Sequence, residues 1–142
     1  YYEFYYLLSG TRRIFINDTI YSVKKGDLIV IPKGELHRTT YIGGDTHERI
    51  VMVFSDAFIE PLINNLGMDT FKKCFDKRQI SIPPNRREYI EELFGKILRE
   101  HNGIDIYSGC MLTVYVYELI LFVLRCHENA DVGCCSGQEG KN

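Results

Sequence analysis

Short β-like segments, separated by turn residues, occupy the chain up to about Phe54 and restrict what it can fold into. The segments are rich in β-branched and aromatic residues, and none has the length or the 3.6-residue period of a helix. Asn17 and Asp18 tolerate positive φ and predict a two-residue hairpin turn. Closely spaced short strands of this kind predict a β-barrel or a sandwich. The predicted strands are residues 3–8, 12–16, 19–24, 27–31, 36–41 and 47–54.

After Phe54 the pattern becomes mostly helical. Ser55 is predicted to cap a short helix that ends at Gly67, and residues 69–75 form another short helix. Residues 79–82 are predicted to be extended. The fold class expected from both halves is therefore a mainly β N-terminal half followed by α-helices.

Two long helices are predicted in the last third of the chain. Asn85 is the expected N-cap of the first, which carries an apolar stripe including Leu93 and Ile97. The second covers residues 108–125 and is apolar on nearly every side, so it must be covered on more than one side. Residues from 129 onward are small and polar, which predicts a flexible tail or an interdomain linker.

Composition and charge exclude several classes of protein. The 142 residues include 17 Lys and Arg against 19 Asp and Glu, a net charge of −2 that gives no basic surface for DNA. The odd number of five cysteines, without a CxxC pair, favours a reduced cytoplasmic protein. The apolar run 110–124 falls short of the ~20 residues that cross a bilayer, so no membrane span is expected.

One motif carries most of the information. Gly26, Pro32, Gly34 and His37 have the spacing G-x5-P-x-G-x2-H, which resembles the second conserved motif of the cupin superfamily. Glu3, followed by six residues and then Gly10, resembles the latter half of the first cupin motif. The two histidines of that first motif would lie upstream of Tyr1.

A wider resemblance covers roughly residues 1–124. Residues 3–10, 16–21, 25–32 and 48–51, with His37, are similar to the N-terminal domain of AraC-type transcription regulators. This resemblance implies a cupin-like β-barrel of the jelly-roll type that binds a small effector, then two long antiparallel helices that pair with a second subunit. It also implies that DNA is bound only through a separate C-terminal domain, which these residues lack. The domains expected are a barrel with short helices over residues 1–82, a two-helix dimerisation region over 83–128, and a tail or linker over 129–142.

Strand alternation selects the candidate effector contacts. If Glu3 points inward then Tyr5 shares its face, and if His37 does then Thr39 and Tyr41 follow. Arg49 is a further candidate, although the opposite face of its strand is more apolar and is the expected core side. Aromatic rings with a few polar groups suit a sugar or another polyol, and equally an organic acid or a phenol. The candidate ligand-binding residues are Glu3, Tyr5, His37, Thr39, Tyr41 and Arg49.

Metal chemistry is not expected. Glu3 and His37 supply two ligands, whereas a catalytic metal site usually needs three from the protein. No cofactor and no enzymatic activity are therefore predicted. Two alternatives stay open: a metal-dependent cupin enzyme with its histidine pair upstream, and a stand-alone sugar-binding cupin without a role at DNA.

The two long helices also predict a homodimer. A helix that is apolar nearly all round has more apolar surface than one barrel covers. The candidate interface residues are Leu93, Ile97, Leu112, Val116 and Leu119.

Overall fold

The computed structural model describes residues 1–40 and 46–131. The described residues divide into two compact units, the first within Tyr1–Glu60 with Lys77–Ile82 and the second formed by Pro61–Asp76 with Pro83–Asp131.

The first unit contains the strands. All six strands predicted for the front of the chain are confirmed to within two residues, except that Tyr41, at the end of the fifth, lies outside the described residues. The extended segment predicted near residue 80 is a seventh strand. The strands are β1 (Tyr2–Ser9), β2 (Thr11–Ile16), β3 (Thr19–Lys24), β4 (Asp27–Ile31), β5 (His37–Thr40), β6 (Glu48–Phe54) and β7 (Gln79–Ser81).

The strands form two separate sheets. One has the order β6-β1-β4-β7 and the other β3-β2-β5, with every neighbouring pair antiparallel. The expected closed barrel is not observed in the described part of the chain, because no backbone ladder there joins the edge strands of one sheet to those of the other. Between β7 and β3 the sheets are linked instead by a side chain, since Gln79 Nε2 donates to the Ser22 carbonyl oxygen at 2.8 Å. The mainly β front half is confirmed.

Turn residues fix the connections that the sequence predicted. Asn17 has a φ of 53°, as its place in a two-residue hairpin requires. Gly10 has a φ of 83°, and a Cβ atom there would lie 2.7 Å from the Thr46 carbonyl oxygen. Because only glycine fits that position, Gly10 allows the β1–β2 turn to lie close to the start of β6.

The inner face of the two sheets is defined by strand register. Tyr5 of β1 lies opposite Ile29 of β4 on one side and Val51 of β6 on the other. In the second sheet Ile14 lies opposite Tyr21 and Thr39. Residues that pair in this way share a face. The buried cluster on this inner face consists of Tyr5, Leu7, Ile14, Ile16, Val23, Ile29 and Ile31.

The helices follow the strands as predicted. Ser55 caps α1 (Asp56–Leu66), since its Oγ accepts a hydrogen bond from the Phe58 amide at 3.2 Å, and the helix ends at Leu66, immediately before Gly67. After it come α2 (Met68–Lys72) and a short 3-10 turn (Lys73–Phe75). The two long helices are α3 (Pro84–His101) and α4 (Ser108–Asp131).

Two details of the long helices differ from the predictions. The expected N-cap at Asn85 is wrong, because α3 begins at Pro84, whose fixed φ and missing amide hydrogen suit the first helical position. Helix α4 continues past residue 125 and includes residues 129–131, which were predicted as tail. Near this end His127 is buried and its Nε2 donates to the Cys74 carbonyl oxygen at 2.8 Å, which anchors the last turns.

Helices α3 and α4 contact each other along their length. The Tyr89 hydroxyl donates to Glu118 Oε2 at 2.6 Å, and Lys96 Nζ lies 5.6 Å from the centre of the Tyr115 ring. Residues 108–129 of α4 meet the length and hydropathy expected of a membrane span, with a mean hydropathy of 1.7. Core helices of water-soluble proteins meet the same criteria, so this property does not distinguish the two.

Candidate functional site

Glu3 and His37 meet across the two sheets. Glu3 lies on the inner face of β1 and His37 begins β5, opposite Ile16 of β2. The side chain of His37 is 32% exposed and that of Glu3 is 22% exposed. His37 Nε2 donates a hydrogen bond to Glu3 Oε1 at 3.2 Å. The motif therefore places an acid and an imidazole together at an accessible end of the inner face, where they offer a ligand both an acceptor and a donor.

Tyr5 is the next inner-face residue after Glu3. Its side chain is 3% exposed, and its hydroxyl has no hydrogen-bond partner among the described residues. Burial raises the pKa of Tyr5, while the nearby charges of Arg49 and Arg12 oppose that rise. A buried hydroxyl without a partner is costly, so this atom is where a ligand group would gain most by making a hydrogen bond.

Arg49 also lies on the inner face, because it pairs with Leu7 of β1. The expectation that the opposite face of β6 is the core side is confirmed, since Phe54 is buried there against Tyr2, with ring centres 5.2 Å apart, and Ile50 and Met52 are half-buried. Val51 shares the inner face with Arg49. Val51 is 45% exposed and Val53 is 52% exposed, so the inner face is open along β6.

Arg12 and His47 join this site and were not among the predicted contacts. Arg12 is buried on the inner face of β2, and its Nη2 donates to His47 Nδ1. Arg49 Nη1 lies 2.8 Å from His47 Nε2. A neutral imidazole accepts at one nitrogen only, so His47 accepts from one guanidinium at a time. Arg12 was detectable in the sequence as a charged residue alternating with the apolar residues Ile14 and Ile16.

The remaining predicted contacts divide into two cases. Thr39 lies on the inner face opposite Ile14 and is exposed, so it lines the open side together with His37. Tyr41 lies outside the described residues. The structure thus brings Glu3, Tyr5, His37, Thr39 and Arg49 onto one face.

No metal centre is formed by the described residues. Within residues 1–40 and 46–131 no three His, Cys, Asp or Glu side chains are grouped as metal ligands. Glu3 and His37 remain a pair of donors, one short of the usual catalytic set.

The predicted interface residues lie mostly inside the single chain. Leu93, Ile97, Val116 and Leu119 are buried without any second subunit, and Leu112 is half-buried. The apolar pattern of α4 alone does not tell which side α3 covers, so the predicted interface includes positions that belong to the core. The exposed residues at helical spacing are instead Cys110, Val114 and Leu121, here called the exposed α4 stripe.

The described residues thus combine two antiparallel sheets, a polar inner-face site and a pair of long helices. A family model described as the ExsA N-terminal regulatory domain matches residues 3–133, and the chain belongs to that family. This confirms the resemblance to the N-terminal domain of AraC-type regulators. A search of curated proteins gave no significant match.

Two solved structures of ToxT from Vibrio cholerae have a similar fold. An apo ToxT variant superposes with a TM-score of 0.60 at 12% identity, and a second ToxT structure with a TM-score of 0.53 at 18% identity. Each match covers 89% of this chain and 48% of the ToxT chain. The chain therefore spans about half the length of the ToxT structures that it matches.

Proposed function

We propose that this chain is the effector-binding and dimerisation part of an AraC-type transcription regulator, with DNA bound by a separate domain. The observation that carries the proposal is the inner-face site, where the Glu3–His37 pair and the unpartnered Tyr5 hydroxyl occur within the fold of a regulatory domain. The matched family consists of regulatory domains, which favours a sensor over an enzyme.

The effector is a small organic molecule that carries at least one hydroxyl group. Glu3 accepts a hydrogen bond from it, the Tyr5 hydroxyl makes another, and Arg49 supplies a charged donor at the other end of the site. Val51 and Val53 are exposed on the same face and cover its apolar part. A sugar fits this description, as do organic acids and phenols. The residues sit on strands of two sheets, so little ordering is needed when the ligand binds.

The helices form the dimer in this proposal. Arg86 lies over the Phe122 ring and Lys96 over the Tyr115 ring, an order of contacts that supports an antiparallel pair. The exposed α4 stripe then faces a second copy of the chain, because apolar residues at helical spacing on a surface favour association. The net charge of −2 is consistent with DNA being bound by the separate domain and not by this chain. In this proposal the whole regulator is cytoplasmic.

A thermal-shift screen of sugars, organic acids and phenols on the purified chain tests effector binding. One compound class should raise the melting temperature, and Tyr5→Phe and His37→Ala should each remove that rise. Tyr1→Phe is the matched control, because Tyr1 is 81% exposed and precedes β1.

Elemental analysis of the same samples tests the alternative of a metal cupin. Stoichiometric iron, manganese, nickel or zinc that disappears in His37→Ala would contradict the sensor proposal. The sensor proposal would also be contradicted if no compound in the thermal-shift screen stabilises the unmodified, metal-free chain.

A further inference from the structure

A cavity of about 480 Å³ lies where strands β2 and β3 of one sheet meet β4 and β7 of the other. Cavities of this size hold small-molecule ligands. Most of its lining residues carry polar side chains, although apolar atoms make up the larger part of the wall surface. The polar residues are Thr11, Arg12, Ser22, Lys24, Asp27, Gln79 and Ser81, and the inner-face residue Val23 completes the lining.

Asp27 is the buried carboxylate of this wall, with 2% of its surface exposed. Its Oδ2 accepts from the Lys24 amide and from Gln79 Nε2, each at 3.0 Å. Its Oδ1 is buried and has no hydrogen-bond partner among the described residues. A buried acceptor without a donor is costly, so a donor supplied at the cavity wall would be favourable.

The rest of the wall is fixed in place. Gln79 Nε2 also donates to the Ser22 carbonyl oxygen at 2.8 Å, which holds β7 beside β3 and keeps the two sides of the cavity together. The hydroxyls of Ser22 and Ser81 can each donate and accept, whereas the Lys24 ammonium only donates. A bound molecule therefore meets both donors and acceptors.

We propose that this cavity binds a small, uncharged, polyhydroxylated molecule, a polyol or a sugar, at a position distinct from the Glu3–His37 pair, with Arg12 bordering both. A hydroxyl group can donate to Asp27 Oδ1 and accept from Lys24 or a serine, so one type of group satisfies both kinds of partner. An anion in the cavity would be repelled by the Asp27 carboxylate, and a cation would be repelled by Lys24 and the buried Arg12. Both effects favour an uncharged ligand.

Nitrogen-15 NMR of the full chain tests the proposal with myo-inositol as the probe. Myo-inositol should shift the amides of residues 22–27 and 79–81 saturably at millimolar concentration, whereas inorganic phosphate and spermidine should not. Ser22→Val should weaken this binding about tenfold, because it removes a hydroxyl and leaves a ligand group unpaired. Ser81→Ala, a milder change on the opposite wall, should weaken it in the same direction.

Thr19→Val is the matched control, since Thr19 is exposed on the same strand as Ser22 but does not line the cavity. It should bind myo-inositol normally, and so should His37→Ala. The proposal is wrong if myo-inositol causes no saturable shift, if phosphate or spermidine shifts the same amides equally, or if Thr19→Val is impaired as much as Ser22→Val. Loss of binding in His37→Ala would assign the polyol to the Glu3–His37 site, which overturns this second site while supporting the proposed function.

Discussion

The inner face of the first unit and the outer surface of the second depart from the usual distribution of residues in opposite directions. The inner face holds Arg12 and Tyr5 in nearly complete burial, where apolar side chains are expected. On α4, Val114 and Leu121 are exposed, where polar side chains are expected. Polar groups inside favour a ligand that can satisfy them, and apolar groups outside favour a partner that covers them. The first unit thus has buried polar groups that a ligand can satisfy, and the second has exposed apolar groups that a partner can cover. This difference is the reason to assign ligand binding to the first unit and association to the second.

The largest expected effect separates the core of the helix pair from its surface. Leu119 is completely buried on α4, whereas Leu121, two residues later, is 37% exposed. Leu119→Ala should lower the free energy of unfolding by about 3 kcal/mol, because it leaves a cavity in the core. Leu121→Ala should lower it by about 0.5 kcal/mol. Urea denaturation at one fixed protein concentration measures both, and equal losses would mean that the exposed α4 stripe is core.

The second effect concerns association. Leu121→Asp should convert a dimer to a folded monomer, raising the dissociation constant at least ~100-fold, because a charge is costly in an apolar contact and tolerated in water. Analytical ultracentrifugation at tens of micromolar measures the change. Glu128→Gln is a suitable control, since Glu128 is exposed near the end of the same helix. If the unmodified chain is already a monomer at this concentration, the proposed dimer contact through the exposed α4 stripe is wrong.

Most strands, turns and helix positions could be predicted from the sequence, because they depend on local patterns. The Asn17 turn, the Ser55 cap and the motif ending at His37 are all of this kind. Sheet closure and the side of α4 that α3 covers depend on contacts between distant residues, so a single sequence does not determine them. For that reason the apolar pattern predicts Leu119 at an interface, whereas the structure buries it within the single chain.

The candidate site shows the same limit. Alternation placed Glu3 and Tyr5 together, and the motif supplied His37. The participation of Arg12 and His47 in the site depends on how β2 lies against the start of β6. Neither strand specifies that arrangement by its own sequence. The cavity beside Asp27 likewise requires β3 and β7 to be neighbours, although they are far apart in the chain.

A pair of tyrosine substitutions should change stability in opposite directions. Tyr5→Phe removes a buried hydroxyl that has no partner and should raise the free energy of unfolding by about 1 kcal/mol, while effector binding is lost. Tyr89→Phe removes the hydrogen bond to Glu118 and should lower it by about 1 kcal/mol. Urea denaturation without effector compares them. A loss of stability in Tyr5→Phe would show that its hydroxyl is already satisfied.

Tyr89 also gives a test at alkaline pH. Burial first, and then the hydrogen bond to Glu118, raise the pKa of Tyr89 to about 12. Because this folded pKa is above the unfolded value of 10.0, the stabilisation is fully present below pH 10 and is lost as the pH rises towards 12. Stability measured between pH 9 and pH 11 should therefore fall more in the wild type than in Tyr89→Phe. Parallel curves would contradict the raised pKa.

The smallest expected effect comes from the corner between β4 and β5, which positions His37. Glu35 in this corner pairs with Arg78, with Arg78 Nε donating to Glu35 Oε1 at 2.9 Å, and this hydrogen bond holds the pKa of Glu35 below its usual value of 4.5. Since the folded pKa is lowered, the pair stabilises the protein above about pH 4.5, and the stabilisation is lost as the pH falls through the folded pKa. Arg78→Met should cost about 1 kcal/mol at pH 7, and this difference from the wild type should shrink towards pH 3.

Lys33→Met is the matched control for this corner, because Lys33 pairs with Asp56 where both side chains are more than half exposed. An exposed pair is screened by water and salt, so this substitution should leave the stability at pH 7 unchanged within error. Urea denaturation at pH 7, 5, 4 and 3 follows both variants. If Arg78→Met also abolishes the thermal shift caused by an effector while Lys33→Met does not, the Glu35–Arg78 pair holds His37 in its binding position. A pH-independent loss in Arg78→Met would show that Arg78 contributes through packing alone.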